Sequence, residues 1–269
     1  MKIFFKECSL VVLLLLIFSS CKQTEVIELS SPNATKKIRF LEGENKNNLT
    51  FSVYYNDKVV VDASVLELLS VDLDFSGKVS VVKIENTSEN TTWNSRFNEL
   101  STIPDHYNQT KIYLKQGEAK VNIIARAYDE GVAFAYEIPE QKGLDEIGLS
   151  ENVHYNFSGD YPVWSTPKRE KGVLTAQGEY RKIPMTRLQE TGEQKQDSIT
   201  GAVIAERKIE GAKVIKKLPF QSPWRVMMMG SSYGELLENN YIIQNLNAPS
   251  KIEDESWITP GKVLREGTL

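Results

Sequence analysis

From Lys36 onward, apolar and polar positions alternate with a period of two, the pattern of half-buried strands. Leu49-Thr-Phe-Ser-Val-Tyr-Tyr alternates, Asn56-Asp57 offers a two-residue turn, and Lys58-Val-Val-Val-Asp resumes the run, which predicts a hairpin. Further strands are expected over Lys78 to Glu85, Gln109 to Lys115, Lys120 to Tyr128 and Val132 to Ile138. Others are expected over Gly201 to Ala205, Lys213 to Lys217, Trp224 to Met229 and Tyr241 to Leu246. Asp129-Glu130-Gly131 reads as a tight turn, because Asp favours turns and Gly tolerates left-handed backbone. Gly234-Glu-Leu-Leu-Glu suits one or two helical turns, and the polar stretch Leu188 to Ser198 reads as a loop. Short strands divided by turn residues, without strand–helix alternation, point to an all-β sandwich or barrel.

The N-terminus departs from this pattern. Lys2 and Lys6 precede an apolar run from Leu10 to Phe18 that ends in Ser19-Ser20-Cys21. A charged start, an apolar stretch too short for a bilayer and small residues at the end make an export signal over residues 1–20. A Cys directly after small residues resembles a bacterial lipobox, so Cys21 is the expected lipidation site. An ordinary secretory signal with a chance Cys is the alternative. The other cysteine, Cys8, lies inside the signal, so the processed chain has no pair for a disulfide. This reading implies an exported bacterial lipoprotein at the periplasm or outer membrane, anchored through its lipid. Residues 21–31 then form a polar tether.

Net charge is -4, with no basic stretch beyond pairs such as Lys36-Lys37, so no nucleic-acid partner is expected. The two histidines, His106 and His154, have no companion at metal-ligand spacing, and no Gly-x-Ser-x-Gly elbow exists for a nucleophile. Both read as structural or surface residues. Of the four tryptophans, Trp93, Trp164, Trp224 and Trp257, flat faces suit sugar stacking, but Trp224 and Trp257 flank prolines and read as packing residues.

Several stretches together resemble glycoside hydrolase family 97. They are Asp105-His-Tyr-Asn, Ala125-Arg-Ala-Tyr-Asp-Glu-Gly-Val-Ala-Phe-Ala-Tyr-Glu, Ser222-Pro-Trp-Arg, Asn245-Leu-Asn-Ala-Pro and Ser256-Trp-Ile-Thr-Pro-Gly-Lys. They follow the order of that family's N-terminal β-super-sandwich, over about residues 30 to 265. The resemblance implies a domain of an α-glucosidase or α-galactosidase with an oligosaccharide substrate. Its catalytic (β/α)8 barrel and the barrel's carboxylates lie outside this chain, so no catalytic residue is assigned. It also implies a Ca2+ ion to which the sandwich lends one Glu. Glu179, in Glu179-Tyr180 before Ile183-Pro184-Met185, matches that place, while Glu206 matches a family Glu of structural role. Ala135 departs from the family's usual Arg.

On this reading residues 32–255 form the sandwich and 256–269 begin a linker to the barrel that is missing here. The expected role is to support the barrel and supply a calcium ligand. A stand-alone carbohydrate-binding surface lipoprotein without catalysis is the alternative.

Overall fold

The computed structural model describes residues 26–42, 48–70, 72–75, 78–95, 100–159, 161–165, 181–184, 194–196, 203–208, 214–238 and 241–247. Sixteen strands and two short helices occupy them. An eight-stranded sheet is built from β1 (Ile27–Ser30), β2 (Lys36–Glu42), β3 (Leu49–Tyr55), β4 (Lys58–Ser70), β9 (Glu146–Phe157), β13 (Val203–Lys208), β12 (Gln194–Gln196) and β14 (Val214–Lys217). Its order is β1-β2-β3-β4-β9-β13-β12, with β14 also on β9.

A six-stranded sheet contains β5 (Val79–Asn94), β6 (Thr102–Gln116), β7 (Ala119–Tyr128), β8 (Gly131–Ile138), β15 (Phe220–Gln221) and β16 (Arg225–Met228). Its order is β15-β8-β7-β6-β5, and β16 pairs with another part of β8. β10 (Pro162–Ser165) and β11 (Arg181–Pro184) pair separately. The helices are α1 (Tyr233–Glu238) and α2 (Tyr241–Asn245).

The expected sandwich is therefore present. The Asn56-Asp57 turn joins β3 to β4 with both residues at positive φ, 49° and 61°, the backbone a two-residue hairpin turn requires. One β-rich core fills the space between the sheets. Ile38, Phe40, Phe51 and Val53 meet Val132, Phe134, Tyr136 and Ile138 there. Phe134 anchors it, with ring centroids 5.2 Å from Phe51 and 6.5 Å from Phe40.

Several expectations change. Tyr241 to Leu246 is not a strand: α2 occupies Tyr241–Asn245. Leu246 N–H donates to the Ile242 carbonyl at 3.2 Å, a helical bond between residues four apart that an extended strand cannot make, and both side chains are buried. Ile27–Ser30, placed in the tether by composition, forms β1 against β2. Leu188 to Ser198 contains β12, paired with β13. β9 was not expected, and β5 runs well beyond Glu85 because β6 pairs with it as far as Asn94.

Candidate functional site

The sequence motifs that fall among the described residues lie on and beside the six-stranded sheet. Residues 105–108 lie on β6, and 125–137 span β7, the Asp129-Glu130 turn and β8. Trp224 precedes β16, and Asn245 ends α2. The α2 face seats Ile242 and Leu246 on Tyr128 and Ala133, with Tyr107, Trp224, Val226 and Met228 around them. This is a second, smaller core on the opposite side of the sheet from the first.

The chain is fastened here by polar ties from distant segments. Tyr241 donates to the Glu130 carboxylate at 2.5 Å. Trp93 Nε1 donates to Asn245 Oδ1 at 2.8 Å, and Asn245 donates on to the Pro104 carbonyl at 2.8 Å. Asn33 N–H donates to the Asp129 carboxylate at 2.9 Å, tying the β1–β2 turn to the β7–β8 turn. Gly131 is needed for the close approach of β16, because a Cβ there would lie 2.3 Å from the Met227 carbonyl oxygen. At α1, Ser232 Oγ accepts from Glu235 N–H while the Glu235 carboxylate accepts from Ser231 N–H, a variant of the capping box. Those bonds hold the Glu235 carboxyl below its ordinary value.

At the centre, the Arg126 guanidinium lies between Tyr107, 4.3 Å from the ring centroid, and Trp224, 5.1 Å away. It donates to Gln109 Oε1 and Tyr128 Oη. Stacking of a cation on aromatic faces favours this geometry. Next to it, one oxygen of Asp105 is buried without a hydrogen-bond partner. Desolvation pushes the Asp105 carboxyl up, against the attraction of Arg126 and a bond from Tyr128. Burial likewise raises the phenols of Tyr128, Tyr107 and Tyr241.

This arrangement packs and orients. Among the described residues no group of three or more His, Cys, Asp or Glu is placed to hold a metal ion. Glu179 and Cys21 lie outside the described residues, as does Trp257. Glu179 belongs to the connection 166–180 between the paired strands β10 and β11. His106 is exposed on β6, and the backbone of His154 on β9 stands opposite Glu206 on β13. Trp224 packs, in keeping with the reading of it as a packing residue beside Pro223.

The family model described as Glycosyl-hydrolase 97 N-terminal matches residues 29–208 and 201–249. The chain belongs to glycoside hydrolase family 97. Solved structures agree with this fold. A variant of a family 97 enzyme from Pseudoalteromonas sp. strain K8 superposes with a TM-score of 0.68 at 23% identity, over 86% of this chain and 39% of that one. The same organism's family 97 enzyme in complex with panose gives 0.67 at 22%, again over 86% and 39%. A beta-arabinopyranosidase gives 0.61 at 18%, over 76% of this chain and 40% of that one. The chain thus spans about two fifths of the length of these enzymes.

The resemblance motifs were the signal that located this face. Arg126, Tyr128 and Trp224 were legible as members of those motifs, but their stacking was not. Glu130 and Tyr241 became partners only once α2 was seen as a helix.

Proposed function

We infer that this chain is the N-terminal sandwich of a family 97 glycosidase that acts on α-glucosides or α-galactosides. It supports a catalytic barrel and does not perform hydrolysis by itself. The observation that carries this reading is the match of the N-terminal family model to residues 29–208 and 201–249. Family 97 enzymes solved with acarbose and with panose favour an oligosaccharide substrate. Cys21 is the lipid-anchored residue of an exported form, facing the periplasm or held at the outer membrane. Glu179 lends one oxygen ligand to a Ca2+ site completed by the barrel, since one carboxylate is far short of the ion's preferred shell.

The test joins residues 22–269 to the catalytic part of a family 97 enzyme. The hybrid is expected to hydrolyse panose and to bind calcium, and Glu179→Gln is expected to weaken that calcium binding. Unchanged calcium affinity in the Glu179→Gln hybrid removes Glu179 from the site. A folded hybrid without activity contradicts the supporting role. Labelled palmitate is expected to enter the wild-type chain and not Cys21→Ser, and equal labelling removes the anchor.

A further inference from the structure

A sheet edge left unpaired is a template for another strand, and native proteins blunt such edges with lysines, prolines, bulges or covering elements. β5 is the edge strand of the six-stranded sheet and is 16 residues long. Among the described residues, β6 alone pairs with it. Its two halves differ. The first half is protected: the register shifts between Val81 and Lys83, and Lys83 pairs with Glu85. The second half, 86–94, reads Asn-Thr-Ser-Glu-Asn-Thr-Thr-Trp-Asn. It has one charge, no lysine, no proline and an unbroken register with β6. Every residue of it except Glu89 is exposed, and among the described residues no strand other than β6 pairs with it, Asn245 of α2 touching only the Trp93 side chain. Trp93 presents a large aromatic side chain there, 37% exposed.

We propose that 86–94 pairs with the same segment of a second copy of the chain, antiparallel about a two-fold axis at Asn90. Strand addition of this kind gains main-chain hydrogen bonds along the free edge. A closed two-fold arrangement uses one surface twice and ends the assembly at a dimer. The charge pattern fits this register. Glu89 faces Thr91 of the second copy, Ser88 faces Thr92, and Thr87 faces Trp93. No like charges stand opposite one another, the arrangement that cross-strand pairing requires. A Thr beside an aromatic ring is a favourable cross-strand pair. The joined sheets would continue through both sandwiches. This inference rests on the edge alone and is independent of the catalytic partner.

Sedimentation velocity of the full chain from low to high micromolar concentration tests it. The wild type is expected to pass from monomer to dimer. Ser88→Lys together with Thr92→Lys places lysine opposite lysine twice in this register and is expected to weaken the dimer at least about tenfold. Ser88→Glu together with Thr92→Lys places opposite charges face to face at the same positions and is expected to restore it. Circular dichroism of both variants reports whether the sandwich is kept. A wild type that stays monomeric throughout overturns the proposal. So does a double-lysine variant that associates like the wild type, or an opposite-charge variant as weak as the double-lysine one.

Discussion

The two faces of the six-stranded sheet are made from the same strands by different means. Inward, Val132, Phe134, Tyr136 and Ile138 follow the strand period and interlock with Phe40, Phe51 and Val53 of the facing sheet. Outward, Tyr128 and Ala133 are covered by the five-residue helix α2 and by Trp224, drawn from far along the chain. The inner face needs apolar side chains of suitable size. The outer face needs particular partners: a glutamate for Tyr241, an asparagine for Trp93, and two aromatic rings around Arg126. Stability is therefore concentrated in the inner face, while the family motif at 125–137 contributes residues to both. The difference also predicts how each face fails.

The inner face is expected to fail globally. Phe134→Ala removes a fully buried ring that touches three other aromatics, and is expected to cost about 3–5 kcal/mol. Urea unfolding should show one earlier transition for the whole sandwich. A loss below about 1 kcal/mol would contradict the inter-sheet core as the main source of stability.

Failure of the outer face should be more local. Ile242→Ala is expected to cost about 2 kcal/mol, at the low end for such a truncation because α2 packs at the rim. Hydrogen exchange should rise around Tyr241–Asn245 and Trp224 fluorescence should change, while β7 stays protected. Loss of protection along β7 and β8 as well would merge the two faces into one cooperative unit.

The buried carboxylate of the outer face sharpens the contrast by pH. Burial raises Asp105 above its ordinary value, so the folded chain binds this proton more tightly than the unfolded chain does. Its contribution is fully present below the unfolded value of 3.8 and is lost as pH rises through the raised folded one. Asp105→Asn, which carries no charge, is thus expected to stabilise the chain at pH 7 relative to the wild type. The gain should shrink on acidification toward the ordinary carboxylate range. Thermal unfolding at the two pH values checks this, and destabilisation at pH 7 would show that the Arg126 attraction outweighs burial.

The smallest effect concerns the tie between the sheets. Ala34 has a φ of 60° in the β1–β2 turn, beside the Asn33–Asp129 bond. A glycine accepts that backbone without strain, so Ala34→Gly is expected to stabilise by about 0.5 kcal/mol. A lower melting temperature would place the strain elsewhere.

How much of this was readable in the sequence follows the same division. Alternation in the sequence marked Leu49–Tyr55 as a strand, although Phe51, Ser52 and Val53 are all buried, and Gly131–Ile138 is buried on both faces apart from Glu137. The Asn56-Asp57 hairpin followed from turn chemistry alone. The second half of β5 was invisible, because an exposed edge strand buries almost nothing and shows no period. α2 was misread, because a run as short as Tyr241 to Leu246 carries too few apolar positions to separate helix from strand. Only the partner surface, Tyr128 and Ala133, decides in favour of the helix. The motifs marked this sheet as belonging to a family, whereas the contacts of its outer face depend on residues more than a hundred positions apart, such as Glu130 and Tyr241.

The most direct test of the central claim, a supporting sandwich without catalysis of its own, is a hydrolysis assay on the pure chain. Glycosidic bond cleavage needs two carboxyl groups fixed on either side of the bond. The inner face is apolar, and the outer face commits Glu130 and Asp129 to structural hydrogen bonds. With panose and with aryl α-glucosides and α-galactosides, in the presence of calcium, the account predicts no turnover above background. Repeated turnover that scales with the concentration of the pure chain would contradict it.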